Sequence, residues 1–87
     1  MTENDLEWAE VAWEQYEWWG RNDKKIRDRI NALVDSALDN PYGGIGKPEP
    51  LRGNLYGLWS RRITKEHRLV YEVREGRLVI YQCRFHY

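Results

Sequence analysis

Apolar residues along this chain of 87 follow two periods, and the change from one to the other divides it. Over residues 9–19, Trp8, Val11, Ala12 and Tyr16 fall near one helical stripe, with Glu10, Glu14 and Glu17 off it. Gly20 reads as the stop of that helix. Asn22 or Asp23 can cap a second helix running to about residue 39. Its core face is Ile26, Ile30, Leu33, Val34, Ala37 and Leu38, and Lys24, Arg27, Asp28, Asn31 and Asp35 fill the outside. Asn40-Pro41 ends it, and the short connection between the helices predicts an antiparallel pair. Leu6-Glu7-Trp8 fits a very short edge strand ahead of them.

Beyond residue 57 the period becomes two. Strands are predicted over residues 58–64, 66–73 and 77–86, the last two forming a hairpin around Arg74-Glu75-Gly76. Leu69, Tyr71 and Val73 share one face, and so do Val79, Tyr81, Cys83 and Phe85. The two sets coincide if Leu69 lies opposite Tyr81 and Tyr71 opposite Val79, with Gly76 left-handed in a three-residue loop. The other face then carries Arg68, Gln82, Arg84 and His86. The expected fold class is α+β, with two N-terminal helices on one face of a small, mainly antiparallel sheet.

Between helices and strands, residues 40–57 contain Gly43, Gly44, Gly46, Gly53, Gly57, Pro41, Pro48 and Pro50. A loop of this length in a small domain points to function or disorder. Pro48 and Pro50 restrict the backbone on both sides of Glu49, and Leu51 and Leu55 are expected to pin the loop to the body.

The length fits one domain spanning residues 1–87. The single cysteine allows no intramolecular disulfide and suits a cytoplasmic protein. No apolar run approaches the ~18 residues of a membrane span, and the acidic N-terminus does not resemble a signal peptide. The net charge of zero conceals a polarity: residues 1–40 carry ten acids and five bases, residues 41–87 four acids and nine bases. Either the halves neutralise each other when packed, or a basic face attracts phosphate locally.

The candidate chemistry lies in the basic half. Glu49 is either a solvated loop residue or a general base. His86 is either a frayed tail residue or a proton donor, since imidazole titrates near neutrality. Arg68 is either a surface strand residue or a ligand for an anion. Lys47 and Arg52 suit backbone phosphates or plain solvent. Arg61 and Arg62 point to opposite faces, and one of them can pair with an acid on the first helix. Tyr87 is a candidate for stacking on a base. His67 and Cys83 read as structural, and Trp8, Trp13, Trp18 and Trp19 as core and interface. Two histidines and one cysteine do not fall at metal-ligand spacing, and no cofactor motif is present.

Four blocks carry a family resemblance: Gly46-Lys47-Pro48-Glu49-Pro50-Leu51, Trp59-Ser60-Arg61-Arg62-Ile63-Thr64, Glu66-His67-Arg68-Leu69-Val70-Tyr71 and Cys83-Arg84-Phe85-His86-Tyr87. In this order and spacing they resemble the YoeB/Txe toxins of the RelE superfamily, over nearly the whole chain. The resemblance implies a microbial-RNase-like fold and the toxin of a type II toxin–antitoxin pair. It implies an endoribonuclease that cuts mRNA in the ribosomal A site, is silenced by a YefM-like antitoxin, and uses no cofactor. It places the general base on Glu49, the general acid on His86, the phosphate-stabilising arginine on Arg68 and the terminal aromatic on Tyr87. Lys47, Arg52, Arg62 and Arg84 are the basic residues expected along the RNA. Arg52 stands where the family often has Lys, and Phe85 where it often has Tyr. Exposed aromatics on the first helix offer a surface for a homodimer. The competing expectation is a non-catalytic RNA- or antitoxin-binding module, which has no need of Glu49, Arg68 and His86 together.

Overall fold

The helical pattern is realised as α1 (Glu10–Asn22) and α2 (Lys24–Asp39) in a computed structural model that describes residues 1–87. α1 does not stop at Gly20. The Asn22 side chain donates to the Trp18 carbonyl at 2.8 Å and the Asp23 N–H to the Trp19 carbonyl at 2.7 Å, which closes the last turn. Asp23 ends α1 and also caps α2, its carboxylate accepting the Ile26 N–H at 3.3 Å. α2 buries the face expected of it: Ile30, Leu33, Val34, Ala37 and Leu38 are buried and Ile26 packs against them. On α1 the buried positions are Ala12 and Trp19, while Val11, expected on the stripe, is exposed.

Five strands form one sheet in the order β1-β5-β4-β3-β2: β1 (Leu6–Trp8), β2 (Glu49–Pro50), β3 (Trp59–Arg62), β4 (Arg68–Arg74) and β5 (Arg77–Gln82). β1 is an edge strand, parallel to β5, and the other pairings are antiparallel. The fold is thus the expected α+β arrangement, with both helices packed over one sheet face. Leu69, Tyr71, Leu78, Ile80 and Cys83 meet the helices' buried residues there in one hydrophobic core. Truncating one of the fully buried leucines costs roughly 2–5 kcal/mol in such a core.

The hairpin corrects the predicted register. Its loop has two residues, because Glu75 (φ 52°) as well as Gly76 (φ 75°) is left-handed, the mark of a type I′ turn. Tyr71 therefore faces Ile80, and Val73 faces Leu78, so Val79 and Tyr81 lie on the opposite face from Tyr71. A register shift between Val70 and Tyr71 then makes Val70 the partner of Gln82 and returns Cys83 to the core. The outer-face placement of Arg68 and Gln82 survives through this irregularity.

Two further expectations fail. The long loop is not bare: it contains β2 and a short 3-10 turn (Gly53–Leu55). The C-terminal strand does not run to residue 86 but ends at Gln82.

Candidate active site

Glu49 owes its position to a buried arginine. Trp59, Arg61 and Ile63 alternate toward the helices, which takes Arg61 to 0% exposure. A buried guanidinium needs partners for its N–H groups. Nε donates to the Tyr71 hydroxyl (2.9 Å), Nη1 to Ser36 Oγ (2.9 Å) and the Ile45 carbonyl (3.0 Å), and Nη2 to the carbonyls of Asn40 and Gly43 (both 2.7 Å). The Tyr71 hydroxyl donates onward to the Pro41 carbonyl at 2.7 Å. Burial outweighs the neighbouring guanidinium and holds the Tyr71 phenol above its ordinary pKa. Every acceptor of Arg61 is neutral, so the expectation of an ion pair with an acid of the first helix does not hold.

These bonds wrap residues 40–46 around the Arg61 side chain. Gly46 is left-handed (φ 83°), and a Cβ on it would lie 2.5 Å from Leu33 Cδ2. Its carbonyl accepts the Arg62 N–H at 2.7 Å. The chain then passes left-handed Lys47 into β2, where Glu49 pairs with Ser60 and Pro50 with Trp59. Pro50 is tolerated because β2 is an edge strand. Leu51, buried, closes this segment through its N–H to the Leu58 carbonyl at 2.9 Å. Glu49, Ser60 and Val70 are successive cross-strand partners, so their side chains share the outer face.

The chain end reaches the same face. Cys83 is tied to α1: its N–H donates to Gln15 Oε1 (2.8 Å), its carbonyl accepts Trp19 Nε1–H (2.9 Å) and its thiol lies 3.4 Å from the Ala12 carbonyl. Burial pushes the thiol up to about 12, so it remains protonated and structural at neutral pH. Arg84 follows it onto α1, with its guanidinium 3.5 Å from the Trp18 ring centroid and 4.5 Å from that of Phe85. Phe85 turns the chain through a left-handed residue (φ 69°). Tyr87 then sets its hydroxyl 3.3 Å from Ser60 Oγ and donates to Glu49 Oε1 at 3.4 Å. His86 packs its ring 4.6 Å from that of Tyr87 and donates from Nδ1 to the Tyr87 terminal oxygen at 3.1 Å.

Arg68 completes the face. Its Nη1 donates to the carbonyls of Thr64 (2.7 Å), Lys65 (3.1 Å) and His67 (3.2 Å), while Nε and Nη2 make no hydrogen bond within the protein. One nitrogen orients the guanidinium and the rest of the fork stays available to an anion. Arg62 is the cross-strand partner of Arg68, an opposition of like charges that costs a sheet roughly 0.2–1 kcal/mol. Lys47 and Arg52 are exposed, and neither they nor Arg62 and Arg68 form an ion pair. No cluster of three or more His, Cys, Asp or Glu side chains is placed to hold a metal ion. No helix is long and apolar enough to cross a membrane.

A profile of the YoeB-like toxin of bacterial type II toxin-antitoxin systems matches residues 8–87. The chain belongs to this family. Toxin YoeB of Synechocystis sp. is 51% identical over 82 residues, covering 94% of this chain and 95% of that protein. The YoeB/ParE toxin from Agrobacterium tumefaciens superposes with a TM-score of 0.93 at 49% identity, over 95% of this chain and 99% of that one. YoeB from Staphylococcus aureus has been solved as a YoeB-YefM complex (TM-score 0.87, 43% identity, 94% and 95% covered). It has also been solved as a dimer (TM-score 0.88, 44% identity, 95% and 97% covered).

Within this YoeB-type fold, Glu49, Arg62, Arg68 and Tyr87 come to one sheet face, with His86 against Tyr87. Arg84 does not join them: the chain turns at Cys83 instead of continuing as a strand, and the guanidinium stacks on Trp18. Sequence reasoning missed Ser60, which sits beneath the Tyr87 hydroxyl, and the organising role of Arg61. The signal for Arg61 was present in the Trp59-Arg61-Ile63 alternation, which sends an arginine inward.

Proposed function

We propose that this YoeB-family toxin is an endoribonuclease that cuts mRNA in the ribosomal A site by acid–base-assisted attack of the 2′-hydroxyl. The observation that carries the reading is the meeting of the Tyr87 hydroxyl with the Glu49 carboxylate at 3.4 Å, on the face from which Arg68 projects. It joins a loop carboxylate to the chain end that bears His86. RNA supplies its own nucleophile, so the protein has three tasks: accept a proton, donate a proton and neutralise charge. Glu49 takes the 2′-hydroxyl proton. The oxygen attacks phosphorus, His86 protonates the leaving 5′-oxygen, and the free Nε and Nη2 of Arg68 neutralise the phosphorane oxygens. Tyr87 orients Glu49 through its hydroxyl and offers its ring to a base. Lys47, Arg52 and Arg62 bind neighbouring phosphates, whereas Arg84 fastens the tail to α1. The products are a 2′,3′-cyclic phosphate, or its 3′-phosphate, and a 5′-hydroxyl.

The site of action is the cytoplasm, on ribosomes. The partner is a YefM-like antitoxin, a reading supported by the Staphylococcus aureus YoeB-YefM complex. Its acidic, disordered segment covers the basic face and folds on binding. The YoeB dimer of the same organism supports a homodimer. Half-exposed Trp13, packed against Trp8 and Tyr16, supplies an apolar surface for it.

The test is a translating-ribosome assay on a defined mRNA, with 5′ ends mapped for wild type and His86→Gln. Cleavage inside the A-site codon is expected, falling in the variant by about 10²-fold or more. Equal cleavage by both proteins moves the acid to another group. No cleavage by either, with antitoxin binding retained, replaces the enzyme with a binding module.

A further inference from the structure

His67 has no part in the proton transfers above, yet three parts of the molecule meet on it. Its ring lies edge-on to Trp19 of α1, with centroids 4.8 Å apart, and 5.9 Å from the Phe85 ring. Its carbonyl accepts the N–H groups of Ile63 (3.0 Å) and Thr64 (3.3 Å) and Nη1–H of Arg68 (3.2 Å). Its Nδ1 accepts the Phe85 N–H at 2.7 Å. An accepting Nδ1 puts the ring proton on Nε2. The main chain of this residue therefore orients Arg68 while its side chain holds the tail.

The tail needs holding. Phe85 adopts φ 69°, a conformation that a bulky side chain seldom takes without support from its surroundings. Burial does not supply that support, since Phe85 is 54% exposed. Besides the Arg84 guanidinium 4.5 Å from its ring centroid, what holds its backbone is hydrogen bonding. The Phe85 carbonyl accepts the Arg68 N–H (3.0 Å) and Gln82 Nε2–H (3.1 Å), and the Phe85 N–H has His67 alone. This residue is the last bend before His86 and Tyr87, so its geometry sets where both side chains arrive.

We propose that His67 is a positioning residue for the terminal His86-Tyr87 pair. Its neutral imidazole accepts the Phe85 N–H and stabilises the left-handed turn that carries the chain end over Glu49 and Arg68. The catalytic consequence rests on the RNA-cleavage reading, whereas the latch itself can be measured without it.

Two variants separate latch from packing. His67→Leu removes the acceptor. His67→Asn places an amide oxygen close to the position of Nδ1 and restores it. The first readout is release of Tyr87 from the folded 87-residue chain by a carboxypeptidase. Release is expected to be about tenfold faster in His67→Leu, the factor given by losing one ordinary hydrogen bond, and close to wild type in His67→Asn. Release from His67→Leu at the wild-type rate overturns the proposal. The second readout is the ribosome assay. His67→Leu is expected to lower kcat with KM nearly unchanged, and His67→Asn to recover it. Equal losses in both variants, tracking a common fall in thermal stability, reduce His67 to packing and overturn the proposal. If wild type cuts no RNA, the cleavage reading fails, and carboxypeptidase release still decides the latch.

Discussion

Residues 40–49 and residues 83–87 deliver the two sides of the candidate site by opposite means. The loop is hung on a side chain at 0% exposure, through three bonds from Arg61 to Asn40, Gly43 and Ile45 and one from Tyr71 to Pro41. The tail is held by the Arg84 stack on Trp18 and the hydrogen bonds of Phe85, and is buried only at its root, where Cys83 enters the core. Beyond it Phe85 and Tyr87 are 54% and 44% exposed, and the outermost polar contacts are 3.3–3.4 Å long. The proposed base is thus an outgrowth of the core, and the proposed acid rides on a strap of backbone hydrogen bonds. Variants of the strap can separate chemistry from folding, which variants of the loop cannot.

The largest test of this contrast is Arg61→Met. It leaves three part-buried carbonyls and two hydroxyls without their donor, and unfolding in urea should show a loss of about 3–5 kcal/mol. A variant as stable as wild type would mean that the loop does not hang on Arg61. Gly46→Ala comes next. The added methyl meets Leu33 in a left-handed backbone, and a loss of about 1–3 kcal/mol by the same measurement is expected.

Cys83 tests the root of the tail, where it meets α1. Its thiol titrates at about 12 when folded against 9.0 as the reference for an exposed thiol. Above pH 9 the unfolded chain releases a proton that the folded chain keeps, so stability falls as pH rises from 9 toward 12. The fall attributable to this thiol is roughly 1–2 kcal/mol at pH 10, and a Cys83→Ala comparison isolates it. The smallest effect belongs to the strap. Tyr87→Phe, which loses only two long bonds, should change unfolding free energy by less than ~0.5 kcal/mol. A drop comparable to that of Gly46→Ala would erase the contrast.

The helices were legible because their burial follows local periodicity and Asp23 carries its cap in one side chain. Arg68 on the outer face was legible for a related reason, since strand alternation is also local, whereas Glu49 was read as a loop residue and its place on β2 was not foreseen. The family was legible from four short blocks. The hairpin register was not. A three-residue loop and a two-residue loop differ by whether Glu75 turns left-handed, and no neighbouring residue dictates that. The tail misled because Cys83 and Phe85 continue an apolar alternation. The chain is diverted by Gln15 and Trp19, more than sixty residues earlier, and contacts of that range leave no local pattern. Arg61 was visible as an inward arginine. Its partners are mostly main-chain carbonyls, which side-chain sequence does not encode.

The opposition of Arg62 and Arg68 has a thermodynamic consequence. Two cations set across one strand pair store repulsion on this sheet face, and any polyanion seated against them releases it. Ligand affinity and folding free energy then draw on the same reservoir. A captor with acidic residues gains part of its grip by curing a defect in the protein it restrains. Without such a ligand the protein carries this repulsion in full, so heat and low salt discriminate against the unbound form.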